Sequence, residues 1–187
     1  MTVTIKDGLF TFGTQEIVEI PNDSAGLVGG IASTNDAVQK APLGCLYRYK
    51  GNVYRYVLFD SGTGAVASAA YGVAVWKSLD PANGTFTATS AVASRIGKNI
   101  VAGIFGGSVT TGYYTWLQVG GVAMCTVADS TAVGDMMVYP STDLTFDRLA
   151  AGTFNTTVTK IVFGIALESK AATTAGSAYV LLMGLIW

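Results

Sequence analysis

Glycine punctuates this chain so evenly that long regular helices have no room to form. Its 23 glycines fall mostly at joints between apolar runs of roughly four to eight residues, the rhythm of a sandwich or barrel. No long window places apolar residues at i, i+3, i+4 and i+7 between capping signals. The expected fold is therefore all-β: a β-barrel or β-sandwich with an extended N-terminal arm and few short helices.

The clearest element is a hairpin, Leu46–Lys50 and Val53–Val57 around Gly51-Asn52. Glycine tolerates positive φ, so a tight two-residue turn is expected there. Alternation puts Arg48 opposite Tyr47 and Tyr49, and Arg55 opposite Tyr54 and Tyr56. Both arginines are thus expected to face solvent or a partner, while the tyrosines pair across the strands.

Further strands are expected at 72–77, 85–92, 100–105, 113–119, 122–127, 136–139, 144–149, 161–168 and 178–186. Asp80-Pro81-Ala82-Asn83-Gly84, Gly106-Gly107-Ser108 and Gly120-Gly121 supply turn chemistry between them. The Ala-rich stretch 64–70 reads either as a short helix or as a small-residue loop. A Gly-[Val/Ile]-Ala pattern at Gly72, Gly121 and Gly164 suits close backbone approach; chance explains its recurrence about as well. Residues 1–42 alternate strand-like patches with loop-rich stretches and read as an arm or edge extension, laid over the domain or adding a strand to a neighbour. Residues 43–187 form the barrel or sandwich domain.

Composition narrows function more than any motif does. Charged residues make up 12% of the chain, against roughly 25% in ordinary soluble domains. A surface so poor in charge suits a protein partly covered by neighbours, although a compact monomer with a Ser/Thr/Asn surface also fits. Eleven basic and twelve acidic residues nearly cancel, and no Lys/Arg run could track phosphates, so nucleic-acid binding is not expected. The apolar finish Ala178–Trp187 is far short of the roughly 20 residues of a spanning helix; it reads as a buried terminal strand, and no membrane partner is expected. Met1–Ile20 lacks a charged-then-apolar signal pattern.

There is no histidine, which removes the commonest general base, the commonest metal ligand and the Ser-His-Asp arrangement together. Cys45 and Cys125 lie in apolar, strand-like runs and are expected to be free buried thiols. The carboxylates (Asp7, Glu16, Glu19, Asp23, Asp36, Asp60, Asp80, Asp129, Asp135, Asp143, Asp147 and Glu168) mostly sit beside Gly, Pro, Ser or Asn, where Asp serves turns. Paired carboxylates for glycoside hydrolysis are the weaker alternative. Asp143, Asp147 and Arg148 cluster without an Asp-x-Asp-x-Asp-Gly loop, so a solvated surface is expected rather than calcium. No phosphate-cradling loop is present, and the sequons at Asn83 and Asn155 follow from composition. No catalytic residue, cofactor or metal is expected, and the chain is not expected to be an enzyme. The residues left as a candidate interface are Tyr114, Trp116 and Gln118, which share one strand face, together with Arg48 and Arg55. The same aromatic face would equally serve as core packing or as a sugar platform.

From about Gly112 onward the chain runs through YYTWLQVGGVAM, VGDMMVYPSTD, IVFGIALES and AYVLLMGLIW. This cadence resembles the small β-rich head decoration (cement) proteins of tailed phages. The resemblance covers roughly the last 75 residues and rests on patterns of small and apolar residues. It implies a non-catalytic protein on the outer capsid surface of a bacteriophage virion, made in the host cytoplasm. It further implies a homo-oligomer, with a trimer favoured, that clamps the major capsid protein. No single residue role carries over. A tail-tube, fibre or small jelly-roll shell subunit and a glycan-binding β-domain remain open.

Overall fold

The computed structural model describes residues 34–62, 64, 67–96, 101–127, 130–138, 143–149, 161–170 and 176–183. Most of the expected N-terminal arm lies outside the described residues, as does the end of the final apolar run. Among the described residues the chain is nearly all β, as expected. Its strands are β1 (Leu46–Tyr49), β2 (Asn52–Phe59), β3 (Val73–Asp80), β4 (Thr85–Thr89), β5 (Val101–Phe105), β6 (Tyr114–Val127), β7 (Met136–Val138), β8 (Asp147–Leu149), β9 (Val162–Ala166) and β10 (Gly176–Leu182). Single 3-10 turns stand at Pro81–Asn83 and Val92–Ser94. The described part of 64–70 belongs to no helix or strand.

Five strands close into a barrel. β2 pairs with β4 in parallel, and antiparallel pairings β4–β3, β3–β5, β5–β6 and β6–β2 complete the ring. Closure leaves no free edge on these strands where they pair. Val57, Phe59, Ala74, Trp76, Ala88, Ala102, Phe105 and Leu117 fill the interior, with Phe59 and Phe105 edge to face at 5.4 Å between centroids.

β6 belongs to two sheets. Its first half walls the barrel, and its second half pairs with β10, from which the order runs β10–β9–β7–β8. The hand-over falls at the two glycines: Gly120 is opposite Val53 of β2, and Gly121 is opposite Leu182 of β10. The turn expected at Gly120-Gly121 is therefore not made, and the strands expected on either side are one. Gly121 has φ +86°, and a Cβ there would strike Asn52. The diglycine re-aims a continuous strand rather than reversing it. A parallel bridge from Val127 to Phe146 ties the far end of the second sheet back to β6. Its buried side, including Cys125, Met137, Phe146, Phe163 and Val180, packs with Val73, Val101 and Ile104 into a second core.

The hairpin forms one residue earlier than expected. Tyr49 faces Asn52 across it, so the turn residues are Lys50 and Gly51, with φ 47° and 82°. Two positive φ values define the I′ turn whose twist matches the strands. Asn52 joins the strand instead. The Asp80–Gly84 turn is made as its residues demand: the Asp80 carboxylate accepts from Asn83 N–H, and Gly84 closes the turn in the left-handed region.

Candidate functional site

The outer face of β1, β2 and β6 is aromatic. Tyr47 and Tyr49 on β1, Tyr54 and Tyr56 on β2, and Tyr114 and Trp116 on β6 share it. Tyr56 lies at its centre, with centroids 4.9 Å from Trp116 and 6.0 Å from Tyr114. Tyr47 covers Trp116 at 6.0 Å. Alternation alone puts these rings together, since Tyr47 is directly opposite Tyr54 and Tyr56 opposite Trp116.

The segment 34–41 is strapped across part of this face. Asp36 and Tyr114 exchange backbone hydrogen bonds at 2.9 Å in both directions, and Trp116 N–H donates to the Thr34 hydroxyl at 3.2 Å. β5 begins to pair with β6 only at Phe105–Leu117, so the strap takes β6 where β5 has left it. Beneath it the buried Tyr56 hydroxyl donates to Asp36 Oδ2 at 3.0 Å and accepts from Lys40 N–H at 3.2 Å. Burial pushes the Tyr56 phenol well above its usual range. The Lys40 ammonium completes the latch at 2.7 Å from Asp36.

Of the residues read from the sequence, Tyr114, Trp116 and Gln118 do share one face of β6. Trp116 is only 3% exposed, so it offers no stacking surface to a sugar. Gln118 donates to the Gly120 and Val122 carbonyls and braces the diglycine joint. Arg48 is exposed, as expected. Arg55 is not: it is 2% exposed and lies on the inner side of β2 with Val57 and Phe59. The expectation failed because the alternation was read correctly but assigned to the wrong sides. The tyrosines hold the outside of the barrel, and the arginine goes in.

Sequence reasoning missed the outer side of the second sheet. One register row crosses all five of its strands through Val122, Leu181, Ile165, Met136 and Leu149, and every member is apolar. A second row passes through Met124 and Tyr179, with Leu167 bonded to the Tyr179 carbonyl. Val122, Leu167, Tyr179 and Leu181 are 40–46% exposed and Met183 60%. The expected buried terminal strand is buried on one side only. Alternation of Ala178, Val180 and Leu182 with Tyr179, Leu181 and Met183 held the signal, but with both faces apolar it reads as a strand buried twice.

Several polar side chains serve structure. Asp60, Asp80 and Asp135 each accept a backbone N–H in their own turn, as expected of turn carboxylates. Lys77 Nζ, 2.7 Å from Asp60, holds that carboxyl below its ordinary range. Arg148 pairs with Asp135 at 3.4 Å, and Asp143 accepts from Val92 N–H at 2.6 Å. Both cysteines are free thiols. Burial pushes Cys45 up to about 11 and Cys125 higher still, the opposite of an activated nucleophile. Among the described residues no three His, Cys, Asp or Glu side chains gather as a metal site would require.

No protein-family model matches the chain, and no curated protein does. One solved structure it is similar to is the head fiber gp8.5 N base in bacteriophage phi29. The two are 16% identical with a TM-score of 0.46, over 70% of this chain and 93% of that one. That likeness is too partial to carry an assignment of fold or function.

Proposed function

We propose that this chain is a structural virion protein that binds the outer surface of a phage capsid lattice and stabilises it, without catalysis. The observation that carries the reading is the apolar row across the outer side of the second sheet, Val122–Leu181–Ile165–Met136–Leu149, in a chain with only 12% charged residues. Interface cores are apolar and depleted in charge, and aromatic residues and Met are enriched in them. The closed barrel gives that face a rigid mount, so little ordering entropy is lost on docking. The partner in this reading is the major capsid protein, and the chain acts as a homo-oligomer, a trimer by preference. A protein that binds the lattice but not its free subunits stabilises the lattice by mass action, and repetition over a shell turns weak contacts into firm attachment.

Copy number tests the reading. Quantitative mass spectrometry of purified particles, with the major capsid protein as internal standard, is expected to give a simple ratio to shell subunits. A few copies to a few tens would move the protein to the tail or a fibre, and absence from the particle would end the reading.

A further inference from the structure

The barrel interior holds a cation with no counter-charge among the described residues. Arg55 is 2% exposed, and its Nε–H has no hydrogen-bond partner. Trp76, fully buried, likewise has an unpartnered indole N–H. The two side chains are neighbours, with the guanidinium carbon 5.9 Å from the centre of the Trp76 ring. The ion pairs formed by Lys40, Lys77 and Arg148 all lie elsewhere.

Topology explains the placement. β4 joins β2 only at Leu58 and Phe59, whereas Arg55 has Leu46 of β1 on one side and Leu117 of β6 on the other. Arg55 therefore stands at the mouth, where the wall passes from β4 to β1. Phe86 packs edge-on against Trp76, and Gly44 lies so close to Phe86 that a Cβ there would enter its ring. Burying a guanidinium without compensation is costly. The indole face relieves part of that cost but takes none of the N–H donors. A water could accept the N–H bonds and would leave the charge unmatched.

We propose that Arg55 and Trp76 form a small-anion site inside the barrel mouth, taking a halide-sized ion that accepts from both Nε–H groups. A small anion supplies at once an acceptor for two unpartnered donors and a counter-charge for the guanidinium. Desolvation, which lowers the Arg55 pKa, is the same cost viewed from the proton's side.

Bromide is the probe. Crystals of the full chain grown in sodium bromide are expected to show an anomalous peak within hydrogen-bond reach of both nitrogens; bromide elsewhere and none here would overturn the proposal. In solution, melting temperature is followed while bromide replaces fluoride at fixed ionic strength. The native chain is expected to respond saturably, and Trp76→Phe, which keeps the ring and loses one donor, to bind about tenfold more weakly. Arg55→Met should lose the response and be the more stable protein at low salt, because an apolar isostere relieves the unpaired charge. Equal responses in all three proteins would refute the site, and so would an Arg55→Met protein destabilised at every bromide concentration.

Discussion

The barrel and the second sheet share a strand and differ in how they treat their outer faces. The barrel has closed its hydrogen-bond ladder, filled its interior with Trp76, Phe59 and Phe105, and drawn the 34–41 strap over its aromatic outside. The second sheet buries its inner side equally well, yet leaves Val122, Leu181, Tyr179 and Met183 in solvent. The aromatic residues outside the barrel are thus a poor guide to a binding face here, since they pack within the chain. The plainer aliphatic row on the other sheet is the surface with nothing described upon it.

The sharpest way to break this contrast is to hollow the two cores in turn. Phe105→Ala should cost about 3–5 kcal/mol and lower urea stability for the whole chain, because β6 runs through both sheets. Phe163→Ala removes the same chemistry from the second core. It is expected to speed hydrogen exchange in β7, β8 and β9 while the barrel amides stay protected. Equal loss of protection everywhere would mean that the two sheets are one cooperative unit.

Gly121→Val attacks the joint itself. A branched side chain at φ +86° that also collides with Asn52 should cost roughly 1–3 kcal/mol in backbone strain alone, read as a drop in the urea midpoint. Tyr56→Phe tests the strap. It removes the donor to Asp36, is expected to cost about 1–2 kcal/mol, and should speed amide exchange at Asp36 and Tyr114 first.

The pH response follows from burial of the acid groups. The Cys45 thiol rises from 9.0 to about 11 in the folded chain, and Cys125, Tyr54 and Tyr56 are also raised by desolvation. Above pH 9 the unfolded chain loses the Cys45 proton first, so stability must fall as pH climbs from 9 toward 11. With no histidine in the sequence, melting temperature should be nearly flat between pH 6 and 8. Cys45→Ala should soften the alkaline fall, as thermal melts across that range would show.

The sequence carried most of the fold, because strand alternation and turn chemistry are local signals. The hairpin, the strands at 101–105 and 162–166 and the Asp80 turn needed only neighbouring residues. What stayed hidden depended on which side of a strand would meet the core. Arg55 was placed outside because charge favours solvent, and only barrel closure turns its face inward. Gly120-Gly121 looked like a turn because nothing nearby reveals that β10, some sixty residues later, will take up the strand. The apolar row is likewise a property of five strands in register and not of any one segment.

The smallest effect on the isolated protein should bring the largest effect on its role. Leu181→Glu, at one of the exposed members of the apolar row, is expected to change monomer stability by no more than about 0.5 kcal/mol. The decisive measurement is co-sedimentation of this variant and the native chain with capsid shells lacking the protein. Saturable binding by the native chain at a fixed ratio to shell subunits, lost in Leu181→Glu at unchanged melting temperature, is the predicted result. Undiminished binding by the variant, or failure of the native chain to bind any shell, would contradict the account.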